Sequence, residues 1–377
     1  MKRIIMFLVA GLVVFTACKK EVVITVKSNN ESWGKVSGGG TYLKGEEIKI
    51  KATPAMSIYK FVKWDDGNTD NPRTIVVKKA ATYTAVFEAT SGGGGIVPGG
   101  GGDDPDPIYT SLFSVSDTTK VMFSPGNLQW SAKNGGSTAT THAVAGGGTA
   151  AGTWRFAPNQ WDTIGAKNNN ISSSYSGWID LFGWGTSGYS GKQPYMTSTS
   201  DEAYGPTRGN IAGTNYDWGI YNAIYNSKTQ TTDAPGTWRA LTSNEWAYIM
   251  DRRQTSSNIR FALATVHGIT GMIIVPDDWD QSVYELKNTN QTIDDYTSNT
   301  IGTADWTNME NVGCVFLPAA SVRYGNVMQS VSVGGTNSMG NYWTTMRAYF
   351  DFASYRQTIY EGSLCLGRSV RLVRDVE

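Results

Sequence analysis

Arg347-Ala348-Tyr349-Phe350-Asp351-Phe352 repeats its character at every second residue, which is the period of a β-strand rather than a helix. Ala348, Phe350 and Phe352 fall on one side and Arg347, Tyr349 and Asp351 on the other. The expectation is a strand that buries the first set and displays the second. The surroundings, Val322 to Leu366, keep this mixture. Scaffold-like Gly340, Tyr342 and Trp343 are interspersed with Tyr324, Asn326, Met328, Thr345, Met346, Tyr355, Arg356, Gln357, Tyr360 and Glu361. Tyr and Arg offer large contact area with polar handles at low ordering cost. Together with Arg347, Tyr349 and Asp351, these assorted residues form the candidate ligand-binding face. Ordinary surface residues of a β-rich domain would give the same alternation, since period 2 reports burial alone.

Upstream, Thr242 and Glu245 have capping-box spacing, with Leu241 and Trp246 at the staple positions. This predicts a helix from Ser243 to about Arg253. Ile259 to Val266 and Met272 to Val275 flank His267-Gly268-Ile269-Thr270-Gly271, which predicts a hairpin with His267 in a solvated turn. His142 lies in a Thr/Gly/Ala-rich loop. With only two histidines in 377 residues, there is little material for a Ser-His-Asp relay or a His-rich metal site. Asp180, Asp217, Asp277 and Asp278 are among the acids a carboxylate-pair glycosidase could use. Trp-Asp neighbours at turns are more often cap and core features.

The chain holds 43 Gly and 13 Trp, and only 17% of its residues are charged. Lys+Arg and Asp+Glu both number 32, so there is no basic footprint for nucleic acid. Residues 91–107 are Gly, Pro and Asp-rich and read as a flexible linker. No Lys-Ser or Lys-Thr follows the glycines, so they do not cradle phosphate, and no cofactor is expected. Before the linker, residues 18–90 contain short β-branched runs split by turn residues: Val22–Val26, Ile48–Ala52, Thr74–Val77 and Tyr83–Phe87. They predict a small β-rich module with Trp64 as its core anchor. Residues 1–17 read as an export signal, with Lys2 and Arg3 ahead of an apolar run too short to span a bilayer. Cys314 and Cys365 form either one disulfide or two unpaired thiols.

Phe15-Thr16-Ala17-Cys18 resembles the lipobox of bacterial lipoproteins, with Phe15 where Leu is usual. That resemblance implies lipidation of Cys18 and an outer-membrane protein facing the cell surface. Val22 to Glu88 resembles the divergent internalin-B-type repeat, which implies a β-grasp-like spacer. Residues 108–377 resemble the C-type lectin fold in its formylglycine-generating-enzyme-like variant. The matching motifs include Phe123-Ser124-Pro125-Gly126-Asn127-Leu128, Gly177-Trp178-Ile179-Asp180-Leu181-Phe182-Gly183-Trp184-Gly185, Trp238-Arg239-Ala240-Leu241-Thr242, Gly340-Asn341-Tyr342-Trp343 and Gly367-Arg368-Ser369-Val370-Arg371-Leu372-Val373. The resemblance implies a final strand, Ser369 to Val373, that pairs back near the domain's start. It also implies kinship with the variable proteins of diversity-generating retroelements. The Glu-Pro-Asn, Gln-Pro-Asp and Trp-Asn-Asp signatures of calcium lectins are absent, as is the close cysteine pair that holds copper in the related enzymes.

The sequence therefore predicts an α+β protein with a β-rich module, a Gly-rich linker and a lectin-like head with irregular loops and few helices. Its expected function is ligand recognition at the cell surface, by a non-enzyme without metal or nucleic-acid partner that binds an unidentified protein or glycan. The alternatives are a structural or tip subunit of a surface fibre and, remotely, a glycosidase.

Overall fold

Polar and β-branched residues alternate through Glu21–Ser28 and Glu47–Pro54, and both segments are strands that bury every second side chain over much of their length. The computed structural model describes residues 20–30, 33–54, 59–89, 111–206, 209–291, 295–329, 332–333, 336–337, 339–353 and 356–376. Cys18, the expected linker and Tyr355 lie outside the described residues. The chain divides into two units, Met1–Ser91 and Gly92–Glu377.

In the first unit, β1 (Glu21–Ser28), β2 (Gly34–Ser37), β3 (Gly40–Leu43), β4 (Glu47–Pro54), β5 (Tyr59–Trp64), β6 (Arg73–Val76) and β7 (Ala81–Ala89) form two sheets, ordered β3-β1-β7-β5 and β2-β4-β6. β1 and β7 are parallel, in register from Ile24 opposite Ala81 to Ser28 opposite Ala85. Ile24, Ile50, Trp64, Ala85 and Phe87 fill the space between the sheets. Trp64 is fully buried, and its indole N–H donates to the Asp70 carbonyl at 2.9 Å. Gly34 is required on β2, because a Cβ there would lie 2.2 Å from the Phe87 ring. Where a β-grasp places a helix against its sheet, the described residues place a second sheet.

The second unit is built from many short strands and few helices. Its strand Lys120–Phe123 pairs antiparallel with the closing strand Leu372–Val376. The closing strand begins three residues later than the expected Ser369, because Ser369 and Val370 are spent elsewhere. Ser369 exchanges backbone bonds with Asn341 and Trp343, and the Val370 carbonyl accepts from Leu128. Arg239, on a short strand beside the closing one, reaches Glu245 at 2.7 Å and Asp375 at 2.6 Å.

The capping box forms as its spacing predicts. Thr242 Oγ1 accepts from the Glu245 N–H, and a Glu245 carboxylate oxygen accepts from the Thr242 N–H. The regular helix, however, stops at Ala247, and Tyr248–Arg252 continues in wider turns. The widening carries Arg253 into the interior, where its guanidinium donates to the Val275 and Arg260 carbonyls and meets Asp277 at 3.2 Å. The hairpin turn comprises two residues rather than five. Phe261–Val266 pairs with Ile269–Ile274, and His267 and Gly268 have φ of 50° and 79°. Positive φ at both central positions matches the strand twist of a two-residue hairpin. His267 is exposed and stacks on Trp161, with ring centroids 3.9 Å apart. His142 sits on the strand Thr141–Val144 rather than in a loop, and bridges the Gly152 carbonyl and Asn222 Oδ1. Cys314 and Cys365 are free thiols buried in different core clusters. Among the described residues no helix is long and apolar enough to cross a membrane.

Candidate functional site

The strand Ala348–Ala353 is the middle of a three-stranded sheet, with Gly340–Trp343 on one side and Arg356–Glu361 on the other. Its apolar side packs inward as the alternation requires. Phe350 stacks face to face on Trp246, with centroids 4.6 Å apart and planes 10° apart, and Phe352 stacks on Tyr342.

The opposite side departs from expectation at Asp351, which is only 7% exposed. The chain just before the closing strand returns over this face. The Arg368 guanidinium lies 3.8 Å from the Tyr349 ring centroid and 4.4 Å from that of Trp343, leaving Tyr349 half-buried. Burial pushes the Asp351 carboxyl up to about 6, against the opposing pull of the Arg368 charge. Thr345 is also buried, not displayed. Its N–H donates to the Leu241 carbonyl and its own carbonyl accepts from the Ile211 N–H, so its place in the chain joins three segments. Asp351 and Thr345 are therefore scaffold residues.

Met346, Arg347 and Glu361 remain on the surface, and the fold gathers them. Ala348 is paired with Glu361 in register, and the Gly362 N–H donates to the Arg347 carbonyl at 3.3 Å, which brings both charged residues to one end of the hairpin. With Ala348, Gly209, Asn210, Thr242, Ser243 and Asn244 they line an open cleft of about 470 Å³. Met346 is 42% exposed. No ion pair joins Arg347 to Glu361 among the described residues. The cleft thus offers a cation, an anion, two side-chain amides and a thioether at one opening. Its wall is held by the capping box beneath Ser243 and Asn244, and Ser243 Oγ lies 3.0 Å from Thr344 Oγ1.

The other expected residues are placed apart from this cleft. Tyr324 and Asn326 are exposed and Met328 is half-buried on the hairpin of Val322–Tyr324 and Val327–Gln329. Arg356, Gln357 and Tyr360 lie on the outer strand Arg356–Glu361, and their side chains lie outside the described part. Sequence reading missed Asn210, Ser243 and Asn244. The last two follow from the capping box once it is seen to face the hairpin, whereas Asn210 carries no local signal.

Three of the acids considered for sugar chemistry are engaged in the scaffold. Asp180 is fully buried, accepts from the Ile164 N–H and Asn168 Nδ2, and is pushed up to about 6 by burial. Asp217 caps the short helix Trp218–Tyr221 and accepts from the Gly219 and Ala240 N–H groups; burial likewise raises it to about 6. Asp277 holds Ser114, Arg253 and Lys120 together. None of the three lines the cleft. Among the described residues no group of three or more His, Cys, Asp or Glu could hold a metal ion.

Residues 24–91 match the divergent InlB B-repeat domain, a repeat of surface proteins. No curated protein and no solved structure matches the chain.

Proposed function

We propose that this chain is a lipid-anchored surface protein whose second unit recognises a protein or glycan ligand through the cleft of Met346, Arg347 and Glu361. The observation that carries the reading is the division of labour within one hairpin. Phe350 and Phe352 are locked into the core, while the turn before them presents Met346 and Arg347 to an open cleft. A rigid scaffold behind exposed, chemically mixed side chains is what a recognition surface requires. The pairing of the unit's closing strand with one of its first strands supports a C-type-lectin-like architecture. The assorted composition of Val322 to Leu366 supports kinship with diversified binding proteins. Ligand binding without catalysis is the reading adopted, since Asp180 and Asp217, two of the three acids that burial raises to about 6, are spent on backbone N–H groups and an amide, and the third, Asp351, lies beneath Arg368 outside the cleft.

The test is a glycan-array and host-protein screen followed by affinity measurements on variants. Met346→Ala, Arg347→Ala and Glu361→Ala combined should weaken binding at least tenfold. The melting temperature should barely change, because exposed substitutions stay within about 0.5 kcal/mol each. Binding that survives the triple change places the site elsewhere.

The anchor is tested separately. Lipidation at Cys18 needs the thiol, so Cys18→Ala should move the protein out of the membrane fraction. Retention of the variant at parental levels overturns the anchor.

A further inference from the structure

The end of the first unit at which the chain enters carries exposed apolar side chains among lysines. Lys20 precedes β1, and its carbonyl accepts from the Lys44 N–H at 2.9 Å, which fixes the β3–β4 turn beside it. The Gly45 N–H donates to the Val77 carbonyl and the Val77 N–H to the Glu46 carbonyl, each at 2.8 Å. The segment after β6, with Lys78 and Lys79, therefore joins the same end. Leu43 and Val76, the last residues of β3 and β6, are 43% and 50% exposed there, and Val23 on β1 is 54% exposed. Lys20, Lys44, Lys78 and Lys79 are all exposed. No ion pair engages them among the described residues. The acids at this end are Glu21, Glu46 and Glu47, of which Glu46 accepts from the Leu43 N–H at 3.0 Å. The charge bias extends beyond this end: residues 20–91 contain eleven Lys and Arg against eight Asp and Glu, and residues 92–377 contain 18 against 24.

Apolar tips among cations are the chemistry that an anionic lipid interface selects, the tips entering the headgroup boundary and the cations meeting phosphate. The tether sets the range. Glu21 follows Cys18 by three residues, which span about 10 Å when extended. That is about one Debye length at physiological salt.

We infer that this end of the module is a second membrane contact, in which Leu43 and Val76 enter the interface while Lys20, Lys44, Lys78 and Lys79 bind lipid phosphates. The inference rests on the anchor reading for the placement of this end at the bilayer. The contact itself is a property of the folded module and can be measured without the lipid.

The chain from residue 19 to 377, made without Cys18 and its lipid, is mixed with phosphatidylglycerol–phosphatidylcholine vesicles or with phosphatidylcholine alone and floated at low and high salt. It should float with the anionic vesicles at low salt only. One lysine near such a surface strengthens association about fivefold, so Lys44→Glu, Lys78→Glu and Lys79→Glu, which remove three attractions and add three repulsions, should together weaken it by at least about a hundredfold. Leu43→Ser with Val76→Ser should weaken binding while leaving its salt dependence in place. All five positions are exposed, and each variant's melting temperature, measured alongside, should match the parent's. No flotation of the parent, or equal flotation of parent and lysine variant, overturns the contact. Because the assay omits the lipid, its failure would leave release by Cys18→Ala standing, and retention of Cys18→Ala in cells would leave a positive flotation result standing.

Discussion

Trp246→Ala should cost about 3–5 kcal/mol, the range for removing a large buried aromatic. The melting temperature of the Gly92–Glu377 unit should fall on the order of 10 °C. The side chain is fully buried, stacks on Phe350, and sits within about 6 Å of the Phe123 and Tyr342 rings. It is the point where the capped helix, the strand Lys120–Phe123 and the sheet behind the cleft meet. Its indole N–H has no hydrogen-bond partner among the described residues, so the loss is one of packing. Because Ser243 and Asn244 line the cleft from the same helix, binding should fail together with folding. A loss below about 1 kcal/mol in a denaturant melt would contradict this core.

Arg368→Ala should be comparably severe, and its cost should depend on pH. The guanidinium is buried between the Trp343 and Tyr349 rings, donates to the Ser363 carbonyl at 3.0 Å, and is the cation that opposes the rise of the Asp351 carboxyl. Removing it empties the space between two rings and takes away the charge that opposes the rise of a buried carboxyl; truncating so large a buried side chain costs about 2–5 kcal/mol in packing alone. The folded-state value of Asp351 is about 6, raised above its ordinary 3.8. A raised acid contributes stability that is fully present below its unfolded value and is lost as pH rises through its folded value. Without Arg368 the carboxyl rises further, so the variant should lose more against the parent near pH 7.5 than near pH 4.5. Adding Asp351→Asn to Arg368→Ala should flatten that difference. Paired thermal melts at the two pH values decide it, and an equal loss at both would remove Asp351 from the account.

The legible parts of the fold were those in which a local rule has one solution. Thr242 and Glu245 stand at a spacing that only a helix start uses, and the box formed. Ala348, Phe350 and Phe352 alternate, and they pack inward. The other face of that strand was not legible. Period 2 says that two faces differ, and it cannot say that residues after Leu364 will cover the second one and bury Asp351. The resemblance ends the closing strand at Val373, whereas the strand runs on through Arg374 and Asp375 to Val376, and the clamp that accommodates Asp375 is Arg239, far back in the sequence. The five-residue turn expected after Val266 shrank to His267-Gly268 because a non-glycine residue accepted positive φ, which composition does not announce. Of the candidate site, Met346, Arg347 and Glu361 were named from sequence, and their convergence with Asn210 and Asn244 depends on long-range register.

The parallel pairing of β1 and β7 has a mechanical consequence. The chain enters the module at the Glu21 end of β1 and leaves from the Ala89 end of β7, and both strands run the same way. When the two ends are pulled apart, the strands are drawn past each other along their length. The hydrogen bonds between Ile24–Ser28 and Ala81–Ala85 then share the load together, in shear, instead of opening one after another like a zipper. A pull applied at the module's two ends therefore meets all of these bonds at once, along the direction in which they resist best.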